Sequence, residues 1–107
     1  MKRLTVDSAK VSLAQQNSPF IELLNYGSLV IEFYQPVGVD QQQPHIRDEI
    51  YVVASGTSEF INGPSRHRVE PGEVLFVPAG RKHRFENFSE DFGTWVFFYG
   101  PEGGERP

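Results

Sequence analysis

The stretch from Gly72 to Asn87 constrains the fold more than any other part of the sequence. Its first half, Glu73 to Val77, is mostly apolar and β-branched or aromatic, with a Pro-Gly pair before it and Pro-Ala-Gly after it. This composition predicts a short strand between two turns. His83 opens the next segment and Phe85 follows two residues later, so a second strand would place both side chains on one face.

The rest of the sequence repeats this pattern of short apolar segments separated by turn residues. The Asn62-Gly63 pair predicts a hairpin, because both residues tolerate positive φ. Near the start, the pattern demands no helix longer than one turn, which would lie at residues 7–10. The segments predicted as strands are Phe20–Leu24, Ser28–Gln35, Glu49–Ser55, Glu59–Ile61, Arg66–Val69 and Thr94–Tyr99. Regular short strands of this kind are typical of an all-β sandwich or small barrel.

Length and charge exclude several classes of protein. The 107 residues fit one domain. The net charge of −4, with 10 basic against 14 acidic residues, argues against binding to nucleic acid. The absence of cysteine excludes a disulfide framework and favours a reducing compartment. Because no segment reads as a signal peptide or a membrane span, we expect a cytoplasmic protein without a membrane partner.

Three side chains are candidates for a metal site. Residues that precede proline favour extended backbone, so Gln43 and His45 on either side of Pro44 should share a face. Glu49 begins an otherwise apolar strand, and a buried carboxylate needs a partner. His45, Glu49 and His83 together would suit Zn, Fe, Mn, Ni or Cu. Taken singly, each also reads as an ordinary loop, strand-start or turn residue.

The sequence resembles the cupins. The second cupin motif reads Gly-x5-Pro-x-Gly-x2-His-x3-Asn, and its fixed positions are filled by Gly72, Pro78, Gly80, His83 and Asn87. The first motif is matched at His45, Glu49 and Gly56. The resemblance covers about residues 28–99. The segment between the two motifs, Thr57 to Pro71, is short, as in small bacterial single-domain cupins. The resemblance implies a jelly-roll β-barrel, also called a double-stranded β-helix, over residues 28–99, an N-terminal arm with strands over 1–27, and a flexible tail over 100–107.

The first motif departs from the cupin pattern in two places. Gln43 stands where the family has its first histidine, and Gly38 lies one position later than the leading glycine. A Gln-x-His pair is similar to that of the zinc-dependent phosphomannose isomerases, which are also cupins. The resemblance therefore implies a divalent transition metal (Fe, Mn, Zn or Ni) held by His45, Glu49 and His83. The fourth position would go to Gln43, to its rival Gln42, or to water.

The resemblance implies a metalloenzyme acting on a small organic substrate, with a dioxygenase preferred to an isomerase. The three-residue set resembles the two-histidine, one-carboxylate triad of non-haem iron oxygenases. The alternatives are a noncatalytic protein that binds a small ligand and a cupin whose site has decayed at Gln43. No catalytic residue is assigned, because Glu32, Arg47 and Arg84 are candidates only by nearness in sequence.

Two further expectations concern the pocket and the assembly. Tyr51 and Val53 should share the face of Glu49, and the aromatic side chains of Trp95, Phe97 and Tyr99 should help to wall an apolar pocket. Cupins of this size are often dimers, so we expect a homodimer in which residues 4–24 cross to the partner.

Overall fold

The computed structural model describes residues 3–107, in which one helix is followed by eight strands. These elements are α1 (Val6–Ala14), β1 (Phe20–Tyr26), β2 (Leu29–Tyr34), β3 (Asp48–Ser55), β4 (Ser58–Asn62), β5 (Ser65–Val69), β6 (Val74–Val77), β7 (His83–Glu86) and β8 (Gly93–Tyr99). The strands form a larger sheet in the order β1-β2-β8-β3-β6 and a smaller one in the order β5-β4-β7. Every segment predicted as a strand is found, with ends displaced by one or two residues.

The two sheets pack face to face around an aromatic core. Alternate residues of β3, namely Glu49, Tyr51 and Val53, point inward and are buried, as the two-residue period of a strand requires. The core side chains come from both sheets and are Tyr34, Tyr51, Val53, Phe60, Val69, Val77, Phe85, Phe92 and Val96. The predicted all-β architecture is confirmed. The closed barrel is not found, because the strands of the described residues pair within two separate sheets.

Helix α1 is the main departure from the predicted secondary structure, since it has nine residues rather than a single turn. Thr5 and Ser8 form a capping box, in which the Thr5 hydroxyl accepts from the Ser8 amide at 3.1 Å. Ala9 and Leu13 pack against Phe33 on the outer face of the larger sheet. Within residues 3–107, no helix has the length and apolarity needed to cross a membrane.

Strand β1 pairs antiparallel with β2 of the same chain, from Phe20 opposite Tyr34 to Tyr26 opposite Leu29. The pairing shifts by one residue between Glu22 and Leu24. The segment expected to cross to a partner therefore lies on its own sheet in this chain, and its exchange in a dimer stays a prediction.

The hairpin between β4 and β5 uses a different pair of turn residues from the predicted one. Asn62 is itself paired with Ser65, so the two-residue loop is Gly63-Pro64. Gly63 has a φ of 58°, while the proline ring holds the φ of Pro64 near −65°. Glycine first and a negative φ second fit a type II′ turn, whereas the Asn-Gly type I′ turn needs positive φ at both positions.

The segment after β8 is attached to the region around the start of β3. The Gly103 amide donates to the Ile46 carbonyl at 2.7 Å, and the Glu105 amide donates to the Asp48 carboxylate at 2.8 Å. The flexibility expected for residues 100–107 stays a prediction, and these bonds would have to break before the first part of the segment moved.

Candidate metal centre

The three candidate ligands converge from different parts of the fold. His45 lies in the loop before β3, Glu49 is the second residue of β3, and His83 is the first residue of β7 in the smaller sheet. The Glu49 Oε1 atom is 2.9 Å from His45 Nδ1 and 3.0 Å from His83 Nε2. One potential ligand atom from each residue lies within 4.8 Å of the others. The fold thus brings His83 next to His45 and Glu49, which lie more than one strand earlier in the chain.

The carboxylate at the centre of this cluster is only partly satisfied. Glu49 is fully buried and His83 is 5% exposed, whereas about a third (33%) of the His45 side chain is exposed. The Glu49 Oε2 atom is buried without a hydrogen-bond partner in the structure. Because an unpaired buried carboxylate oxygen is costly, its presence favours a bound cation.

The hydrogen bonding of His83 leaves one ring nitrogen free to bind a metal. His83 Nδ1 lies 2.9 Å from the Arg81 carbonyl oxygen, which can only accept, so Nδ1 carries the proton. In the neutral ring, Nε2 then presents a lone pair, and this buried atom makes no hydrogen bond although it is 3.0 Å from Glu49 Oε1. A backbone carbonyl that fixes the tautomer is a common second partner of metal-binding histidines. This donor set fits a divalent transition metal.

The ionisation of the cluster couples to metal binding. Burial acts to raise the pKa of Glu49, but the adjacent imidazoles of His45 and His83 outweigh it and lower that pKa. Burial acts to lower the pKa of His83, but the Glu49 carboxylate and the Arg81 carbonyl outweigh it and raise that pKa. Without a metal, a proton is therefore favoured on the imidazole beside the carboxylate, and it would compete with a metal ion.

The two glutamines before His45 have different surroundings. Gln43 is exposed, whereas Gln42 is partly buried. The Gln42 Oε1 atom accepts from the Tyr51 hydroxyl at 2.8 Å, and its Nε2 atom donates to Asp40 at 2.9 Å. The structure thus places Gln42 on the inner side of the loop, with its oxygen already engaged. The assignment of Gln43 as a fourth ligand stays a prediction.

A buried carboxylate that the sequence did not reveal holds this loop in place. Asp40 accepts hydrogen bonds from the Tyr34 hydroxyl at 2.5 Å and from the Phe85 amide at 2.8 Å. It also accepts bonds from the backbone and side-chain amides of Gln42. Burial and the Asp40 carboxylate raise the pKa of Tyr34, so its hydroxyl stays a donor. Asp40 therefore ties the loop that carries Gln42 to β2 and β7.

A pocket of about 280 Å³ opens beside His45. Its lining residues are Phe20, Glu32, Tyr34, Gln42, His45, Val96 and Phe98. The Phe98 ring lies 4.9 Å, centroid to centroid, from the His45 ring. The most exposed member of the ligand cluster is therefore also the one that reaches the pocket.

The aromatic residues predicted to wall this pocket lie on the other face of β8. Glu49 is paired with Phe98, and directly opposed residues share a face. Val96 and Phe98 therefore face the pocket, while Trp95 packs edge-on against Phe33 on the outer face at 5.1 Å between ring centroids. The prediction that Trp95, Phe97 and Tyr99 line the pocket is wrong, because these residues alternate with Val96 and Phe98 along β8 and lie on its opposite face. Tyr51 and Val53 do share the face of Glu49, as core residues.

Of the three residues considered for acid–base chemistry, Glu32 lines the pocket. Burial, with smaller contributions from Glu22 and Glu49, raises the pKa of Glu32 against the opposing effect of His45. Arg47 instead donates to the backbone carbonyls of Ser28 and Gly100, and Arg84 pairs with Glu86 at the surface. The sequence signal for Glu32 is its position, since it alone breaks the apolar run of β2.

Comparison with known sequences identifies the family. The profile of the family described as Cupin domain matches residues 30–99. An uncharacterised protein of Streptomyces coelicolor is 32% identical over 104 residues, which cover 95% of this chain and 99% of that protein. The chain belongs to the cupin family, and the predicted resemblance is confirmed.

Solved structures support the cupin fold. A cupin-2 domain containing protein from Shewanella frigidimarina superposes with a TM-score of 0.69 at 17% identity, over 91% of this chain and 95% of that one. A DMSP lyase from Ruegeria pomeroyi superposes with a TM-score of 0.66 at 25% identity, over 92% of this chain and 55% of that one. The family includes metal-binding enzymes and noncatalytic proteins, so the function of this chain has to be argued from its site.

Proposed function

We propose that this cupin is a metalloenzyme that binds one divalent transition metal ion through His45, Glu49 and His83 and acts on a small organic molecule by dioxygenase-type chemistry. The observation that carries the proposal is the pair of buried atoms without hydrogen bonds, Glu49 Oε2 and His83 Nε2. Two imidazoles and one carboxylate form the donor set of non-haem iron oxygenases, which leaves coordination positions for substrate and O₂.

The metal would supply the activation of O₂ or the polarisation of a substrate carbonyl. The chain would supply the rest of the environment. Val96 and Phe98 form apolar pocket walls that limit the access of water to the reacting atoms. The side chain of Gln42, held by Asp40 and Tyr51, is positioned to orient a polar group of the substrate.

A proton-transfer reaction is the second candidate, and it is favoured by Glu32. A carboxyl group whose pKa is raised above its usual value holds a proton more readily and can both accept and return one, as isomerisation or elimination requires. Glu32 lies in the wall of the same pocket as His45. The similar structures include a lyase, the DMSP lyase of Ruegeria pomeroyi, so such chemistry occurs on this fold. Zinc-dependent isomerisation falls within the same class.

Metal titration tests the ligand assignment. After chelation and dialysis, the protein should bind about one equivalent of Fe(II), Mn(II), Ni(II) or Zn(II), and His83→Ala should reduce this below about a tenth of an equivalent. His67→Ala is the matched control, because His67 is an exposed histidine of β5 in the smaller sheet. Full occupancy in His83→Ala would contradict the assignment.

Two assays separate the reaction classes. Metal-loaded protein incubated with enols, catechols and hydroxy-carbonyl compounds should consume O₂ if the dioxygenase proposal is correct. Exchange of substrate protons with D₂O under anaerobic conditions, lost in Glu32→Gln, would instead support proton transfer. Bound metal with neither activity would favour the noncatalytic ligand-binding alternative.

We also propose that the protein is a homodimer in the cytoplasm. Val74 and Phe76 on the edge strand β6 are 65% and 50% exposed, and apolar side chains on a sheet edge are suited to an interface. Light scattering after gel filtration should give about twice the chain mass of 12.1 kDa. Phe76→Asp should shift the mass towards that of one chain if β6 contributes, and a monomeric wild-type protein would contradict the proposal.

A further inference from the structure

The pocket beside His45, here called the inner pocket, adjoins a second, larger cavity. The two cavities share Phe20, Tyr34 and Gln42 as lining residues, and the second has a volume of about 810 Å³. We call this second cavity the outer groove. It runs between the end of α1, the segment that leads into β1, and the segment that follows β2. The inner pocket and the outer groove are therefore neighbours that meet at these three residues.

The walls of the outer groove are uncharged and mostly apolar, with some amide and hydroxyl side chains among them. Leu13, Pro19, Pro36, Val37 and Val39 contribute to it, and among the described residues no Asp, Glu, Lys, Arg or His lines it. The inner pocket has Glu32 and His45 but no Lys or Arg. A phosphate or sulfate group would therefore find no cationic side chain along the walls of either cavity, although such groups are normally bound by Arg or Lys.

The volumes indicate which part of a ligand occupies each cavity. At about 30 Å³ per water molecule, the inner pocket of about 280 Å³ holds only a small polar head group. The outer groove has the volume of a typical ligand site, which is about 300–1,000 Å³. Phe20, Val37 and Val39 on its walls are 47%, 82% and 71% exposed, so an apolar ligand would remove a considerable apolar area from water.

We propose that the substrates are unphosphorylated amphipathic molecules. Their head is a neutral or singly negative metal-chelating group, such as an enol, hydroxy-carbonyl or carboxylate, and it occupies the inner pocket. Their apolar body lies along the outer groove. The position of the head rests on the proposed metal site. The apolar body and its place in the outer groove go beyond the proposed function.

A series of alkyl hydroxamates tests the inference, because the hydroxamate group chelates metals and the alkyl chain can be lengthened. Zn(II)-loaded protein would be titrated calorimetrically with acetohydroxamate and its homologues up to octanohydroxamate. The affinity should rise about fourfold per added methylene, the factor expected for burying each CH₂, until the groove is filled. An eight-carbon hydroxamate that ends in a carboxylate should bind no better than acetohydroxamate.

Two exposed valines provide a matched pair of variants. Val39→Glu places a charge in the outer groove and should abolish the gain in affinity with chain length. Val11→Glu is the control, because Val11 is 61% exposed on α1 and lies outside the groove lining, so the whole series should bind as to the wild type. Both positions are exposed, and both variants should fold.

The outcomes separate this inference from the proposed function. Failure of acetohydroxamate to bind Zn(II)-loaded protein would show that the metal has no position open to a substrate, and would overturn the proposed function and the inference with it. Binding of acetohydroxamate with an affinity that does not change along the series would overturn the inference alone. A gain with chain length that persists in Val39→Glu would show that the alkyl chain lies elsewhere and would equally overturn it.

Discussion

Asn87, the last fixed residue of the second motif, has a φ of 51°, the only positive φ among the non-glycine residues described. Asparagine enters this left-handed region more readily than most residues. Its side-chain amide donates to Glu59 on β4. The motif residue is thus explained by the backbone turn after β7 and has no need of a role at the metal centre.

At the residue scale, Gly56 and Gly72 form a matched pair for a stability prediction. Both have positive φ, of 70° and 92°, but an added Cβ at Gly56 would lie 2.6 Å from Phe92 backbone atoms, whereas at Gly72 it meets nothing within 4 Å. Gly72→Ala should lower the free energy of unfolding by about 1–2 kcal/mol through backbone strain alone. Gly56→Ala should lower it by about 3 kcal/mol or more. Urea denaturation measures both, and equal effects would contradict the steric argument.

The sequence predicted which candidate ligands come together better than it predicted their surroundings. His45, Glu49 and His83 were found because motif spacing and the two-residue strand period are visible in one dimension. Gln42 and Gln43 could not be distinguished, because the inward side of this loop is set by the bond that Gln42 accepts from Tyr51 on β3 and the bond that it donates to Asp40, which is itself held by other strands. Asp40 was missed for the same reason, since its partners Tyr34 and Phe85 come from two different strands.

At the element scale, α1 is a helix that the pattern of apolar residues does not predict. Only Ala9 and Leu13 are buried, one turn apart, so the helix has almost no apolar face. Its start depends on Thr5 and Ser8, whose capping box uses Ser at the position where Glu or Gln is usual. Its place in the fold depends on contacts with Phe33, which the local sequence does not contain.

The cap of α1 can be tested with two conservative variants. Thr5→Ala removes the side chain that accepts from the Ser8 amide and should lower the free energy of unfolding by about 1 kcal/mol. In a domain of this size, that corresponds to a fall of roughly 5 °C in Tm. Ser12→Ala, in the last turn of the helix and away from the cap, should leave Tm unchanged or raise it slightly, because alanine is the better helix former. Calorimetry that gave equal losses for both variants would argue against the cap.

The smaller sheet carries a charge cluster that spans its three strands. Arg66 on β5 lies 3.0 Å from Glu59 on β4 and 3.0 Å from Glu86 on β7. The Asn87 amide and Arg66 lower the pKa of Glu59, and Arg84 and Arg66 lower that of Glu86. Arg66 therefore links all three strands of the sheet that presents His83.

This cluster predicts a pH-dependent effect of Arg66→Ala. A carboxyl group with a lowered pKa in the folded state stabilises the protein above its ordinary pKa, which is about 4.3 for Glu, and this stability is lost as the pH falls through the lowered value. Arg66→Ala should thus lower Tm at pH 7, and the difference from the wild type should shrink below about pH 4. Arg68→Ala is the control, because its contact with Glu70 is long (3.9 Å) and both side chains are exposed. A difference that stayed constant with pH would contradict the assignment.

At the scale of the whole molecule, the candidate metal centre lies between the two sheets and contains residues from both. Glu49 belongs to the larger sheet and His83 to the smaller one. A ligand that binds only the folded state at a hundred times its Kd stabilises that state by about 2.7 kcal/mol. We therefore expect saturating metal to raise Tm by roughly 10 °C, with EDTA reversing the change. His83→Ala should show no such rise, and a shift retained in that variant would place the metal elsewhere.

The two-layer all-β fold was predictable because turn residues and alternating apolar residues mark each strand. The sequence did not predict that the two sheets stay separate instead of closing into a barrel. That outcome depends on which strand edges pair across long distances in the chain. β8, for example, lies between β2 and β3 in the larger sheet. The face of β8 that meets the pocket was likewise fixed only by its register with β3, in which Glu49 is opposite Phe98.

The position of Trp95 has a practical spectroscopic consequence. It is the only tryptophan of the chain, and it lies on the outer face of the larger sheet with Phe33, under α1. Its fluorescence should therefore respond when the helix leaves the sheet. The core between the two sheets contains Tyr51 and Phe60 but no tryptophan. Tryptophan emission would consequently report on the outer face of the larger sheet, and the absorbance of a metal bound at Glu49 and His83 would report on its inner face. During unfolding, the order of the two changes would show which face opens first.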